Sequence, residues 1–181
     1  MGVEDLPAQI RRGRENSSAD KSETLSYGTI GGAPKSLILG RTYFYQKDER
    51  KARAAFDAAR LTLEHSVEEK PRDPDQHMFL AEAYARLGRK DDAIREAKSA
   101  AKMIPESKDP YAGIVMQCHL AETYVMVGEF DVALPIIQHC VTTPAGFFVN
   151  DLRLDKFWDA IRSDPRFQQI VAQDVEPIKV E

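Results

Sequence analysis

The chain has 181 residues, of which 43% are hydrophobic and 30% are charged, a balance typical of a folded protein and not of a disordered one. Its formal net charge of −4 lacks the basic surplus of a general nucleic-acid-binding protein, so no nucleic-acid partner is expected. No apolar run approaches the ~20 residues that cross a bilayer, and the first residues lack the apolar core of a secretory signal. We therefore expect no membrane partner and a cytoplasmic location.

The first predicted segment, residues 1–33, is polar and interrupted by glycines. Little in it can bury an apolar face, so we predict a flexible N-terminal segment. Arg11, Arg12 and Arg14 form its basic cluster, which we interpret as part of a solvated tail.

The first predicted helical unit covers residues 34–70. Pro34 suits the first position of a helix, and apolar residues follow at helical spacing from Leu37 to Tyr43. A turn at residues 46–48 leads into a second helix, which should end near Glu69 because prolines follow.

The second and third predicted units cover residues 74–105 and 110–143. Each opens with Asp-Pro, which is typical of an N-cap followed by the first helical residue. Small residues on facing stripes let two helices approach closely, so each unit should fold as an antiparallel hairpin. In the third unit, Pro135 lies within about one turn of the start of the return helix, where it should cost at most one hydrogen bond.

The three units repeat the same residue types at the same offsets. Tyr43 and Tyr84 are 41 residues apart, and Tyr84 and Tyr124 are 40 apart. Each tyrosine has Leu followed by Gly or Ala just upstream, and Ala nine residues downstream. Self-similarity at a fixed period predicts an array of stacked structural repeats.

This pattern resembles the tetratricopeptide repeat (TPR) family. The middle unit matches the family's signature at Leu80, Ala81, Tyr84, Ala93 and Pro105, with His77 at the position of its Trp. The chain departs from the family in its period, which exceeds the usual 34 residues, and in keeping no Trp in any unit. The resemblance implies an all-α solenoid of three helical hairpins over residues 34–173, whose first helices line a concave groove.

A C-terminal cap is predicted over residues 151–173, followed by a tail at 174–181. Asp164-Pro165 should open its last helix, extending to about Gln173. The final repeat of a solenoid needs such a cap for its apolar face. The segment also resembles the closing segment of repeat arrays in bacterial signalling proteins. The chain can therefore alternatively be a regulatory or oligomerisation module of a larger protein with a kinase, cyclase or transcriptional regulator.

Two Cys-His pairs, Cys118-His119 and His139-Cys140, have the ligand count of a zinc site. Adjacent residues on a helix point about 100° apart, so the two members of a pair cannot easily face one ion. We expect no metal site. A Gly-rich phosphate loop and a Gly-x-Ser-x-Gly elbow are both missing, so we expect no cofactor and no enzymatic activity.

The resemblance implies a partner-binding groove, and counting from the tyrosine signature gives its residues: Leu37, Arg41, Phe44, Tyr45, Met78, Glu82, Arg86, Cys118, Glu122, Val125 and Met126. Apolar residues with polar borders are typical of partner sites. We therefore predict a scaffold or adaptor that binds a protein or peptide segment. Two alternatives remain: the N-terminal segment or the C-terminal helix covers these residues, or the array pairs with its own copy as a homo-oligomer.

Overall fold

The computed structural model describes residues 24–27 and 30–173, with side chains from residue 32 onward. The predicted tail at 174–181 and most of the predicted N-terminal segment therefore lie outside the described residues. Within that segment, β1 (Thr24–Tyr27) pairs antiparallel with β2 (Ile30–Pro34). This strand pair differs from the flexible segment predicted for residues 1–33.

The rest of the described chain is helical, and the predicted all-α class is confirmed for it apart from the strand pair. The α-helices are α1 (Lys35–Tyr45), α2 (Glu49–Glu69), α3 (Pro74–Arg86), α4 (Lys90–Met103), α5 (Pro110–Met126), α6 (Phe130–Thr142), α7 (Val149–Leu154) and α8 (Pro165–Val171). A 3₁₀ helix, Lys156–Ala160, lies between α7 and α8. Each of the first five helices packs against the next one in the chain, and α6 packs against α8. No described helix is long and apolar enough to cross a membrane.

Aspartate side chains begin several of these helices, as the Asp-Pro pattern predicts. The Asp73 carboxylate accepts the N–H of Asp75 at 3.1 Å and that of Gln76 at 3.3 Å. The aspartate before α5 likewise accepts two backbone N–H groups, and the one before α8 accepts one. These bonds satisfy donors that a helix start leaves open. Pro34 differs from its prediction, because it lies one residue before α1.

The turns that join α1 to α2, α3 to α4 and α5 to α6 share one backbone geometry. Their left-handed residues are Lys47, Gly88 and Gly128, with φ of 60°, 80° and 78°. In each turn the following residue donates its N–H to the carbonyl of the signature tyrosine, at 3.0, 2.8 and 2.9 Å in chain order. The three turns therefore repeat in structure as well as in sequence.

The first helix pair packs unusually closely at Gly40. A Cβ atom at this position would lie 2.6 Å from two carbons of the Phe56 ring, which is itself buried. The first hairpin thus combines a glycine on α1 with a large ring on α2. The second hairpin has Ala81 and Ala97 at the equivalent positions, and both are fully buried.

His77 lies in the interior of the second unit. Its Nδ1 is 2.7 Å from Glu96 Oε2, and its Nε2 is 3.2 Å from the carbonyl oxygen of Pro71. Both ring nitrogens thus lie within hydrogen-bond distance of an oxygen atom. The histidine joins α3 to α4 and to the loop before α3 by polar contacts.

The C-terminal segment, residues 147–173, forms its own aromatic cluster against the last hairpin. The Trp158 ring stacks on Phe167 at 5.9 Å and meets Phe147 and Phe157 edge to face at 5.1 and 4.9 Å. Leu152, Ile161 and Ile170 are buried beside these rings. The segment therefore extends the hydrophobic core beyond α6. Its last helix ends at Val171, two residues before the predicted end.

Candidate functional site

A cavity of about 300 Å³ opens between α1, α3, α5 and the C-terminal segment. Its walls combine charged, aromatic and methionine side chains from four parts of the chain. The lining residues are Arg41, Tyr45, Met78, Phe79, Glu82, Arg86, His119, Glu122, Thr123, Met126, Asp155, Phe157 and Trp158. We call this space the inner cavity.

Most of the residues predicted for the groove meet at the inner cavity. Those that line it are Arg41, Tyr45, Met78, Glu82, Arg86, Glu122 and Met126. They come from α1, α3 and α5, one helix from each hairpin. Seven of the eleven residues counted from the tyrosine signature therefore lie around one cavity.

Three predicted groove residues are corrected, because the structure places them in the interior. Leu37 is 0% exposed and packs in one hydrophobic cluster with Ala33 of β2. Cys118 is 7% exposed and packs with Cys140 of α6. Val125 is 4% exposed within the main core. Neighbouring elements thus cover the faces of α1 and α5 on which these side chains lie.

Phe44, the remaining predicted residue, does not line the inner cavity itself but contacts Arg86 and Tyr45, which do. Its ring centroid is 4.1 Å from the guanidinium carbon of Arg86 and 5.6 Å from the Tyr45 ring centroid. The side chain is 46% exposed. It therefore forms an apolar rim and holds Arg86 by a cation–π contact.

Sequence reasoning missed six lining residues. Phe79, His119 and Thr123 lie next to predicted positions on α3 and α5, whereas Asp155, Phe157 and Trp158 come from the C-terminal segment. The density of apolar residues at 151–167 predicted a cap, but no local pattern shows that this cap also borders the cavity. The wall comes from the 3₁₀ helix and the residue before it, whereas the last helix, α8, contributes no lining residue.

Arg41 and Glu82 form the main ion pair of the inner cavity. Arg41 Nε donates to Glu82 Oε1 at 2.8 Å, and a second nitrogen donates to Oε2. Burial lowers the pKa of Arg41, but hydrogen bonding and attraction to Glu82 raise it by more. The bidentate pair joins α1 of the first hairpin to α3 of the second and fixes both side chains.

His119 and Glu122 form a second pair one turn apart on α5. His119 Nδ1 lies 2.9 Å from Glu122 Oε2. Burial lowers the pKa of His119, but the Glu122 carboxylate raises it by more, so the net shift is upward. The raised pKa favours the charged form of His119 beside the Glu122 carboxylate.

Arg86 has a different environment from these paired groups. It makes no hydrogen bond or ion pair with any described residue, and its Nε is buried without a partner. Its guanidinium carbon lies 4.1 Å from the Phe44 ring centroid and 5.9 Å from that of Phe157. Burial is the largest influence on the pKa of Arg86 and lowers it.

The two Cys-His pairs diverge in the structure. The thiols of Cys118 and Cys140 lie together in the interior, where hydrogen bonding to Cys140 and burial raise the pKa of Cys118. His119 lines the cavity instead, and His139 Nε2 lies 2.9 Å from Glu106 Oε2. Across the described residues, no group of three or more His, Cys, Asp or Glu side chains is placed to hold a metal ion.

Comparison with known proteins adds no family assignment. A scan against protein-family models finds no match, and no curated protein matches the chain.

Proposed function

We propose that this chain is a non-catalytic protein-interaction module, a TPR-like array of three hairpins with a C-terminal cap. In this proposal a peptide segment of a partner protein binds in the inner cavity. The observation that carries the proposal is the cavity itself, since the first helix of every hairpin contributes to one concave surface. Helical repeat proteins use extended concave surfaces of this kind for binding.

The repeated turn supports the TPR-like part of the proposal. Each hairpin carries its left-handed residue four positions after the signature tyrosine, and each closes with the same backbone bond. The long period is absorbed mainly in α2, which has 21 residues, and in the loops that precede α3 and α5. The hairpin turns therefore keep one geometry although the repeat period is longer than 34 residues.

The chemistry of the walls supports a peptide as the occupant. Tyr45 is 49% exposed, and together with Met126 and Phe157 it offers apolar contacts at the cavity mouth. Methionine and aromatic side chains suit adaptable binding surfaces. The Arg41–Glu82 pair is rigidly held and would give the bound segment its direction through polar contacts.

A second candidate is the regulatory or oligomerisation module of a larger signalling protein. It is favoured by Phe148 and Leu154 on the C-terminal segment, which are 73% and 80% exposed and do not line the inner cavity. Exposed large apolar side chains of this kind are typical of a surface that meets another protein or another copy. Light scattering of the purified chain measures the self-association that this candidate predicts.

The test of the proposed function is selection of displayed random peptides on the wild-type chain. The selected peptides are then measured by fluorescence anisotropy against a Tyr45→Ala, Met126→Ala double variant. Leu61→Ala is the matched control, because Leu61 is 57% exposed on α2 and does not line the cavity. We expect wild-type affinity in the control and at least about a tenfold loss in the double variant, as for interface anchors. Selected peptides that bind all three proteins equally would contradict the proposal.

A further inference from the structure

We infer that the inner cavity recognises a carboxylate side chain, an Asp or Glu of the bound peptide, and that Arg86 is the residue that binds it. The inference rests on the proposed function, because it names the chemistry of the segment that the cavity holds. It concerns a single side chain, so it can fail while peptide binding in the cavity stands.

The unmet hydrogen-bonding capacity of Arg86 is the first observation. A guanidinium carries five N–H donors and cannot be deprotonated under ordinary conditions. Arg86 uses none of these donors toward any described residue, and its Nε is also shielded from water. Buried donors without partners are rare in folded proteins and costly to maintain. Arg41, in the same cavity, has a bidentate carboxylate partner.

The position of Arg86 between two aromatic rings is the second observation. Phe44 and Phe157 approach the guanidinium carbon at 4.1 and 5.9 Å. Such cation–π contacts hold the charge in place without using its hydrogen-bond donors. The N–H groups remain for a planar acceptor, and a carboxylate matches the guanidinium with two parallel hydrogen bonds.

The acidic side chains of the cavity do not supply this acceptor. Glu82 pairs with Arg41, and Glu122 pairs with His119. The carboxylate of Asp155 accepts the backbone N–H of Phe157 at 2.8 Å. Arg86 is therefore the charged lining residue that has no hydrogen bond within the described part of the chain.

These same carboxylates favour a ligand with one negative charge over a ligand with two. Glu82, Glu122 and Asp155 all line the cavity, so a phosphate with nearly two charges would meet more repulsion than a carboxylate. Tyr45 and Trp158 line the same space and favour an apolar neighbour. The occupant we infer is thus an acidic residue flanked by apolar residues.

The first experiment observes the Arg Nε–H signals of the full chain by ¹⁵N NMR during titration with the capped tripeptide acetyl-Leu-Asp-Leu-amide. The matched probe has Asn in place of Asp. Arg89 is an internal control, because it lies over the Tyr84 ring at 4.3 Å but already donates its Nε–H to Asp92 at 2.7 Å. We expect a saturable shift of the Arg86 signal with the Asp peptide only, and no shift of Arg89. An absent shift, or equal shifts with both probes, would overturn the inference.

The second experiment uses the peptides selected for the proposed function. Arg86→Gln should weaken binding of acidic peptides about tenfold to hundredfold, the loss expected for a charge-assisted hydrogen bond. Replacing the peptide's acidic residue by its amide should cause a similar loss in the wild type and little further loss in Arg86→Gln. Arg53→Gln, an exposed change on α2, is the control. Peptides that need Tyr45 and Met126 but tolerate the amide would refute the role of Arg86 and leave the proposed function intact.

Discussion

Replacing Gly40 by Ala tests whether the first hairpin depends on a close helix contact that only glycine permits. The added methyl carbon would lie 2.6 Å from Cδ1 and Cε1 of Phe56, well inside the 3.4 Å at which ordinary contact begins. Phe56 is 1% exposed, so its ring has no solvent-filled space into which it can move. The helices or the ring must therefore shift.

Two opposing terms set the magnitude of this change. Alanine is favoured over glycine inside a helix by about 1 kcal/mol. Forcing an extra carbon into a packed core costs about 1–3 kcal/mol, and contact with a buried ring places Gly40→Ala near the upper end. We expect a net loss of about 1–2 kcal/mol in the free energy of unfolding, which lowers the melting temperature by about 2–8 °C in a chain of this size.

The assay is urea unfolding monitored by circular dichroism, on the wild type, Gly40→Ala, Phe56→Leu and the double variant, which form a double-mutant cycle. Leucine removes the ring atoms that the new methyl group meets, so Gly40→Ala should be neutral or stabilising in the Phe56→Leu background. The two changes should thus couple by more than about 0.5 kcal/mol, the range within which independent sites add. Additive effects, or a Gly40→Ala variant at least as stable as the wild type, would refute the close-contact argument.

Three further predictions concern other single sites. Ala97→Phe should destabilise the second hairpin by about 1–3 kcal/mol, and adding Ala81→Gly should recover part of that loss by recreating the glycine–ring pair of the first hairpin. An unchanged melting temperature for Ala97→Phe would show that its face assignment is wrong. The raised pKa of His119 means that its pair with Glu122 stabilises the fold fully below the ordinary histidine pKa of about 6.5 and is lost as pH rises through the folded pKa. The stability difference between wild type and His119→Gln should therefore shrink with rising pH, and a pH-independent difference in urea unfolding would contradict this. Pro135 lies at the sixth residue of α6, beyond the first turn in which it was expected. Pro135→Ala should raise the melting temperature because an interior proline costs up to about 3 kcal/mol relative to alanine, and a lower one would mean that the proline ring makes compensating contacts.

The helical repeats could be predicted from the sequence because their signals are local. The spacing of apolar residues and the Asp-Pro pairs located the helices, and the tyrosine offsets aligned the hairpins. Arg41, Glu82 and Glu122 were found in the same way, since equivalent positions of aligned repeats face one side. Aligning the repeats therefore predicts which side chains share one surface.

The errors lie where elements distant in sequence meet. Leu37 follows the helical period, but it lies in a cluster that includes Ala33 of β2, a strand in a glycine-rich stretch that is typical of a loop. Cys118 is buried by Cys140 from the return helix, which the pattern of α5 alone cannot show. Phe157 reaches the cavity through a turn of the C-terminal segment whose direction no local pattern specifies.

The inner cavity draws its walls from residues as far apart as Arg41 and Trp158. During synthesis the first hairpin leaves the ribosome long before the C-terminal segment exists, so the cavity is completed only when nearly the whole described chain has folded. A bound peptide would then link the parts of the chain that are synthesised first and last. A ligand that binds only the complete fold stabilises the whole fold. Truncated or partly folded copies would be excluded from binding by geometry, without any separate quality check.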